Sequence, residues 1–374
     1  MPEKSFIPVN EPDLTGNERK YLNECIDSGW ISSEGPFIRE FEERFAARVG
    51  RRHGIAVCNG SAALDAAAAA LDIGPGDEVI MPAFTIISCP AAVSRLGGIP
   101  VVVDCDALTW NMDVSRIEER ITSRTKAIMP VHIYGLPVDM DPLLDIAKRH
   151  DLQVIEDAAE MIGQTYRGRP CGSLGTISTF SFYPNKHVTT GEGGMVLTDD
   201  DNLAEHLRSL RNLAMKAKRR FIHDEIGWNF RMTNMQAAIG LAQLERLDEF
   251  VARKRHMFDS YTTLLSDIES LELPVRCTAY SDNINWVYGV VIGDDVAFDA
   301  DEAMKRLAAK GIGTRPFFWP IHEQPVYLNQ GMFANEHHPN AERIARRGFY
   351  LPSGLTLADE QMARVSDAVH EVFA

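Results

Sequence analysis

The sequence contains no long apolar run. Its most alanine-rich stretch, residues 66–70, is bounded closely by Asp65 and Asp72. A membrane-spanning helix needs about 20 mostly apolar residues. The first residues lack the basic region and following apolar stretch of a secretory signal. We therefore expect a cytoplasmic protein that does not contact a membrane.

Positive charge is scarce. The 374 residues include 38 Lys and Arg against 53 Asp and Glu, which gives a formal net charge of −15. Only residues 216–220 form a short basic run, which predicts a solvated helix end or loop, or alternatively a contact with a phosphate-bearing substrate. The acidic balance and the absence of a basic helix-turn-helix segment argue against binding to nucleic acid.

Cysteine clusters are also absent. The six cysteines are scattered, and no Cys-x-x-Cys pair or Cys/His group has the spacing of a zinc site. We therefore expect idle or buried thiols in a reducing compartment and no metal site. Apolar residues make up 45% and charged residues 24%, as in an ordinary globular protein that needs no covalent staple.

Short apolar runs alternate with helical patterns through the first two-thirds of the chain. Val- and Ile-rich strands separated by helices of this length predict a largely parallel sheet that is covered on both faces. The expected strands lie at 55–58, 78–81, 101–103, 127–131 and 153–156, and the expected helices at 62–71, 113–121 and 141–150.

The pattern changes near Thr233. Residues 233–236 read Thr-Asn-Met-Gln, which is typical of a helix capping box. Apolar residues at helical spacing follow as far as Val251, and they predict one long helix that links two domains. We expect a large domain over residues 1–250 and a small α/β domain over 251–374. The expected elements of the latter are a strand at 286–292 and helices at 301–310 and from Asp359.

Lys186 is the strongest candidate for chemistry. It ends the aromatic, strand-like run Thr179-Phe180-Ser181-Phe182-Tyr183-Pro184-Asn185-Lys186 and precedes a polar, glycine-rich turn. This context favours an amine held at a fixed point, as a carbonyl cofactor such as pyridoxal phosphate requires. Without that context, a solvated surface lysine would be the simpler interpretation.

Two further segments could serve such a cofactor. Asn59-Gly60-Ser61 lies between a strand and a helix, where backbone N–H groups and a hydroxyl suit a phosphate, although a plain helix cap explains it too. Asp157 follows a buried strand, and a carboxylate there can keep a pyridine nitrogen protonated. A helix N-cap is the alternative role for Asp157.

The order and spacing of these parts resemble the DegT/StrS-type sugar aminotransferases, a family of pyridoxal-phosphate enzymes. The resemblance covers nearly the whole chain and implies the aspartate-aminotransferase (fold type I) architecture, with a mostly parallel central sheet. The motifs that carry it are Gly29-Trp30-Ile31-Ser32-Ser33-Glu34-Gly35-Pro36, Gly76-Asp77-Glu78-Val79-Ile80-Met81-Pro82, Pro130-Val131-His132-Ile133-Tyr134-Gly135, Ile155-Glu156-Asp157-Ala158-Ala159-Glu160, the lysine segment and Asn229-Phe230-Arg231-Met232-Thr233-Asn234.

The resemblance implies a role for each matched residue. Pyridoxal 5'-phosphate would form a Schiff base with Lys186, and Asp157 would pair with its pyridine nitrogen. The phosphate would be bound by Gly60, Ser61 and Ser181, and by Asn229 from a partner subunit, so the active unit would be a homodimer. Glu160 would lie near the ring hydroxyl or the substrate. The residues implied around a sugar nucleotide, each with packing or capping as the alternative, are Trp30, Ser32, Ser33 and His322.

The early motif at 30–33 and further motifs at 315–322 and 350–353 resemble the members that act at C4 of GDP-4-keto-6-deoxymannose. The implied reaction is amination of this sugar nucleotide with glutamate as the amino donor. A UDP- or dTDP-linked keto-sugar is the main alternative. A 3-dehydratase is another, since such relatives carry histidine in place of the lysine, and here His187 is adjacent to Lys186.

The sequence departs from the family at one position. After Pro82-Ala83-Phe84-Thr85, many members place an aromatic residue that stacks on the cofactor ring, whereas this chain has Ile86. Either Ile86 covers the ring through apolar contact or Phe84 adjusts to help. The stacking partner stays open at this point.

Overall fold

The computed structural model describes residues 6–215 and 221–373, so the basic run at 216–220 lies outside the described residues.

The α-helices are α1 (Glu18–Ser28), α2 (Pro36–Val49), α3 (Gly60–Ala70), α4 (Ser88–Arg95), α5 (Met140–Arg149), α6 (Asp201–Leu210), α7 (Asn234–Leu244), α8 (Leu247–Leu265), α9 (Ala300–Ala309), α10 (Pro325–Leu328), α11 (Pro339–Arg347) and α12 (Asp359–Phe373). The strands are β1 (His53–Val57), β2 (Glu78–Pro82), β3 (Ile99–Val103), β4 (Thr125–Ile128), β5 (Gln153–Asp157), β6 (Thr165–Tyr166), β7 (Arg169–Pro170), β8 (Ile177–Ser181), β9 (Gly194–Thr198), β10 (Leu271–Glu272), β11 (Tyr288–Ile292), β12 (Arg315–Pro316) and β13 (Gly348–Leu351).

A seven-stranded sheet forms the centre of the molecule. Its strand order is β1-β9-β8-β5-β4-β2-β3. Only β9 runs antiparallel to its neighbours, β1 and β8, and the other pairs are parallel. The predicted α/β fold with a mostly parallel central sheet is therefore confirmed.

Both faces of this sheet are buried because successive strand residues point into two different apolar clusters. In β2, Val79 and Met81 contribute to one cluster and Ile80 to the other. Alanine-rich α3 packs on the first face, close to β8 and β9. Strands that are buried on both faces read as continuous apolar runs, which explains the Val- and Ile-rich pattern of the sequence.

A second, four-stranded sheet lies in the C-terminal part, in the order β10-β11-β13-β12. All its pairs are antiparallel. It shares a third apolar cluster with residues of α8, α9 and α12. Ile7 from the N-terminal segment joins this cluster and pairs with Ile312, so the chain's first described residues pack against its last third.

The predicted helix over 113–121 is wrong. This stretch forms two single 3-10 turns, Val114–Arg116 and Glu118–Arg120. The Asp113 carboxylate caps the first turn by accepting a hydrogen bond from the backbone N–H of Ser115 at 3.1 Å, so a helical turn begins at the expected place but is not continued. A segment this short, with β-branched Val114 and Ile117, gains little from helical propagation.

The single long helix predicted after Thr233 is also corrected. The capping box is present, since Thr233 and Gln236 exchange side-chain and backbone hydrogen bonds. The helix stops after Leu244, however, and α8 begins at Leu247. Arg246, between them, pairs with Asp13 at 3.0 Å, so contacts with the N-terminal segment hold the break.

Membrane insertion has no support from the helices. Within residues 6–215 and 221–373, none combines the length and the apolar character needed to cross a bilayer.

Candidate active site

One cavity of about 530 Å³ opens where the parallel strands of the large sheet end. It brings together Gly60 at the start of α3, Asp157 at the end of β5, Ser181 at the end of β8 and Lys186 just beyond it. Ligands of open α/β sheets bind outside the carboxyl ends of the strands, so the fold itself places these residues at one site.

One end of the cavity is built for an anion. Helix α3 begins here, and the Asn59 side chain caps it by accepting from the N–H of Ala62 at 2.8 Å. A Cβ atom on Gly60 would lie only 2.7 Å from the Cβ of Ser181, so only glycine leaves room for this approach. The Ser61 hydroxyl, 2.8 Å from that of Ser88, adds a polar group. Free backbone N–H groups at a helix start suit a phosphate.

Asp157 is a buried carboxylate, 3% exposed. Its Oδ1 accepts from the N–H of Ala159 at 3.0 Å, and its Oδ2 lies 3.2 Å from the Sγ of Cys89. Burial raises the pKa of Asp157, which the hydrogen bond from Ala159 opposes. A buried carboxylate of this kind is stabilised by a cationic partner such as a protonated pyridine nitrogen.

Cys89 contacts the site, but the sequence did not identify it as a site residue. All six cysteines are free, as expected, but the thiol of Cys89 is not idle because it donates to Asp157. No pattern around Cys89 indicates this contact, since it depends on the packing of α4 against the end of β5.

Lys186 points into the cavity and is surrounded by groups that fix its amine. Its Nζ lies 3.7 Å from the Oε1 of Glu160 and 3.6 Å from the centre of the Trp286 ring. Burial lowers the pKa of Lys186, while the negative charge of Glu160 opposes that effect. A lowered pKa favours the neutral amine, which is the form that acts as a nucleophile and accepts a proton.

Glu160 is the titratable partner of Lys186. Its Oε2 accepts a hydrogen bond from the N–H of Tyr134 at 2.7 Å. Burial raises the pKa of Glu160 to about 7, although the charge of Lys186 works in the opposite direction. The carboxyl can therefore change its protonation state near neutral pH, directly beside the lysine amine.

His187 lies outside the cavity although it adjoins Lys186 in sequence. Its ring is 1% exposed, and neither ring nitrogen has a hydrogen-bond partner among the described residues. Burial lowers the pKa of His187 well below its usual value, which keeps the ring neutral. The lysine, and not the histidine, occupies the position that faces Asp157 and Glu160.

The two candidates for covering a ring differ in placement. Ile86 lines the cavity and is 41% exposed. Phe84 is fully buried in an aromatic cluster with Tyr134, Phe317 and Phe318 and does not line the cavity. Of these two candidates, Ile86 is therefore the one that can contact a ring in the cavity.

The second sheet supplies a wall that sequence reasoning did not assign. Trp286, Arg315, Phe318 and Tyr350 line the same cavity as Lys186. These four residues lie in or near β11, β12 and β13, far from the lysine in sequence. The motifs at 315–322 and 350–353 include Arg315, Phe318 and Tyr350. No local sequence pattern, however, shows that these side chains line the cavity of Lys186.

Several predicted residues lie elsewhere in the subunit. Trp30 and Ser33 line a separate cavity of about 830 Å³, and Ser32 is exposed. Asn229 is also exposed, and its Oδ1 accepts from Arg231 at 2.9 Å. Within one subunit these residues are not brought to Lys186, so their roles toward a cofactor or substrate stay predictions.

His322 is buried and faces away from the cavity. Its Nε2 lies 3.0 Å from the Oε1 of Glu342, and its ring packs edge-on against His338. Glu323 is close enough for a three-residue metal cluster with His322 and Glu342, but Arg346 already pairs with it at 2.7 Å. His322 does not line the lysine cavity of its own subunit, so its role near a sugar nucleotide stays a prediction.

The chemistry of the cavity fits pyridoxal phosphate. It offers an anion cradle at the start of α3, a buried carboxylate and a buried amine in one enclosure. The hydroxyl of Thr179, which also lines the cavity, has no hydrogen-bond partner among the described residues. A polar ring would supply one, and buried polar groups are normally satisfied.

Comparison with known proteins agrees with this geometry. The sequence profile of the DegT/DnrJ/EryC1/StrS aminotransferase family matches residues 12–370. The chain is 46% identical to the GDP-perosamine synthase of Caulobacter vibrioides over the full length of both. It is 44% identical to that of Escherichia coli O157:H7, with 99% of each covered. DesV of S. venezuelae, solved in complex with a ketimine intermediate, superimposes with a TM-score of 0.90, at 36% identity and with 98% of each chain covered.

Proposed function

The chain belongs to the DegT/DnrJ/EryC1/StrS aminotransferase family, and we propose that it aminates GDP-4-keto-6-deoxymannose at C4 to form GDP-perosamine. Glutamate would be the amino donor. The observation that carries this proposal is the convergence of Lys186, Asp157 and the α3 anion cradle in one cavity. The sugar nucleotide itself is proposed from the relatives named above, which share the whole length of the chain.

Pyridoxal phosphate, when bound, supplies a carbonyl that carries the amino group and a ring that accepts electrons. Lys186 Nζ would hold it covalently, and Asp157 would keep a proton on its ring nitrogen. Gly60, Ser61 and Ser181 would bind the phosphate through backbone N–H and hydroxyl groups. Each of these groups faces the same enclosure, so one molecule can engage them together.

Lys186 would also move protons. Burial lowers the pKa of its amine, which favours the neutral form of Nζ that can accept a proton. Glu160, 3.7 Å away, would set the charge of this amine and hold a proton when the amine is neutral. Trp286 would keep Nζ in place and exclude water from it.

We further propose a homodimer with shared sites. Phe221, Ile222 and Ile226, just before Asn229, expose 75%, 49% and 89% of their surface, as a segment that meets a partner would. Asn229 would then reach the cofactor phosphate of the other subunit. Trp30, Ser32 and Ser33, which do not line their own subunit's lysine cavity, would likewise serve the neighbouring site.

The test is a panel of acceptors. The enzyme with glutamate is incubated with GDP-, UDP- and dTDP-linked 4-keto sugars, and the amino sugar is detected by mass spectrometry. We expect the wild-type enzyme to turn over GDP-4-keto-6-deoxymannose. The Lys186→Ala variant should lose both this turnover and the visible absorption of the lysine-bound cofactor. Turnover of a UDP sugar alone would refute the proposed substrate while leaving the family intact.

A further inference from the structure

A buried lysine on α8 lies behind the wall of the active-site cavity. Lys254 is 1% exposed and does not line the cavity that contains Lys186. No carboxylate of the described residues pairs with its amine, and burial alone lowers the pKa of Lys254 to about 7. Burying a charged amine costs free energy that an apolar side chain at the same place would not incur. The contacts of this amine show what its buried position provides.

The amine of Lys254 holds two backbone carbonyls at the margin of the second sheet. It donates to the carbonyl of Trp286 at 2.8 Å and to the carbonyl of Ser353. Trp286 lies just before β11, and Ser353 lies just after β13. The Ser353 hydroxyl accepts from the N–H of Tyr288 at 2.9 Å, which connects the same two strands a second time. Lys254 thus fixes the backbone from which the tryptophan projects into the cavity.

Trp286 carries this anchorage to the reactive amine. The centre of its ring lies 3.6 Å from the Nζ of Lys186. Its Nε1 donates at 2.6 Å to the carbonyl of Asn185, the residue before that lysine. A hydrogen bond at one edge of an indole fixes only one point of the ring. The carbonyl held by Lys254 supplies a second point, so the face of the ring stays toward Nζ.

The surroundings of Lys254 give its amine no further partner in the neighbouring loop. His187 is buried, and neither of its ring nitrogens has a hydrogen-bond partner among the described residues. Burial, and then the charges of Lys254 and Lys186, lower the pKa of His187, so its ring is neutral. Both protonation states of a lysine amine keep at least two N–H donors, which suffice for two carbonyls. The hold on Trp286 and Ser353 therefore does not depend on the charge of Lys254.

We propose that Lys254 is a positioning residue for amino transfer, which holds the Trp286 ring against the Lys186 amine through the Trp286 backbone. This deepens the proposed function, on which it rests for the identity of the reacting amine. Lys254 does not line the cavity, so its effect must pass through the tryptophan. Removal of its amine should free the ring. Protonated Lys186 should then lose part of the stabilisation that an aromatic face gives to a cation.

Competitive labelling tests this assignment without cofactor or substrate. The full-length, cofactor-free enzyme is treated with trace acetic anhydride over a range of pH, and acetylation of Lys186 is measured by mass spectrometry, which gives the pKa of its amine. Lys254→Met, which removes the N–H donors, should lower this pKa by about 0.3 to 1 pH unit. Lys254→Gln, which shortens the side chain but keeps N–H donors, should lower it by less.

The route through the tryptophan is tested in a second background. If Lys254 acts through Trp286, Lys254→Met should add nothing to the fall in pKa that Trp286→Leu already causes, whereas independent effects would add. Leu265→Ala is the matched control, since Leu265 lies at the far end of α8 and is buried in the third apolar cluster. It should lower the stability of the fold and leave the pKa of Lys186 unchanged.

Three results would refute the proposal: an unchanged or raised pKa of Lys186 in Lys254→Met, an equal fall in Leu265→Ala, and additive effects in the double variant. A raised pKa is what removal of a nearby positive charge alone would produce. If the methionine variant does not fold, an unchanged pKa in the folded glutamine variant is the refuting result. The labelling needs no keto-sugar, so failure of the wild-type enzyme to aminate the GDP sugar would refute the proposed function separately.

Discussion

The Nζ of Lys186 lies 3.6 Å from the centre of the Trp286 ring. The lysine follows β8 of the large sheet, and the tryptophan precedes β11 of the second sheet. Trp286 is itself fixed twice: its Nε1 donates to Asn185 O at 2.6 Å, and its carbonyl accepts from the buried Lys254 amine at 2.8 Å. The contact thus orients the reactive amine through both halves of the fold.

Replacement of Trp286 should slow the reaction with glutamate. A cation over an aromatic face is stabilised by about 0.5–2 kcal/mol, so Trp286→Leu should reduce the single-turnover rate by about twofold to thirtyfold. Trp286→Phe keeps a ring and should lose less. The rate is followed by the visible absorption after mixing with glutamate, and its pH dependence should shift in the leucine variant alone. Equal losses and unshifted profiles in both variants would indicate a packing role only.

Glu160 should make the cofactor-free enzyme less stable as the pH rises. Its pKa is raised from the usual 4.5 to about 7 by burial. Between these pH values the folded state binds the proton more tightly than the unfolded state, so the free energy of unfolding falls. Below this window the carboxyl is neutral in both states, and above it the buried charge exerts its full cost, up to about 3 kcal/mol.

Glu160→Gln removes this titration. Urea unfolding at pH 5 and pH 8 should show a smaller loss of stability in the variant than in wild type. Glu302→Gln, on the surface of α9, should behave like wild type. A variant with the same pH dependence as wild type would show that Glu160 is not protonated in the folded state.

Ile86→Tyr should tighten cofactor binding. Ile86 lines the cavity, whereas Phe84 is buried behind it. An aromatic side chain that stacks on the pyridine ring would add about 0.5–1.5 kcal/mol, or roughly twofold to tenfold in affinity. Equilibrium dialysis of pyridoxal phosphate against the cofactor-free enzyme measures this. Ile87→Tyr changes a neighbour that does not line the cavity, and an equal gain there would contradict the stacking explanation.

Much of the large sheet and one side of the site could be predicted from the sequence alone. Asp157 and Ser181 end strands, Lys186 follows one and Gly60 begins a helix. The carboxyl-end rule of α/β sheets therefore predicts that these residues meet. The motifs that encode them are local. Their contacts then follow from the topology.

The other side of the site could not be predicted in this way. Trp286 contacts Lys186, and Arg315 lines the same cavity, only because the second sheet packs against the first, and no local sequence pattern predicts such packing. The helix expected at 113–121 failed for a different reason, because so short a segment with β-branched residues gains little from helical propagation. The break at Arg246 depends on a distant aspartate, Asp13.

Mixed dimers test the position of Asn229. The residue is exposed and does not line the cavity of its own subunit, so the proposed phosphate contact must come from the partner. Lys186→Ala and Asn229→Ala subunits should each be impaired alone. After unfolding and refolding together in equal amounts, half of the dimers are hybrids, and each contains one site with both native residues. Activity should therefore return to about a quarter of wild type.

The control places both substitutions in one subunit and mixes it with wild type, with differently tagged chains to measure the hybrids. If Asn229 acts across the interface, each such hybrid has two impaired sites, one without the lysine and one without the asparagine. The activity of these hybrids should then fall to about half that of the Asn229→Ala dimer, because only one of their two sites keeps the lysine. If it acts within its own subunit, the control hybrids keep one intact site and the single-variant mixture regains nothing. The two mixtures respond in opposite directions, so a general loss of stability cannot imitate either result.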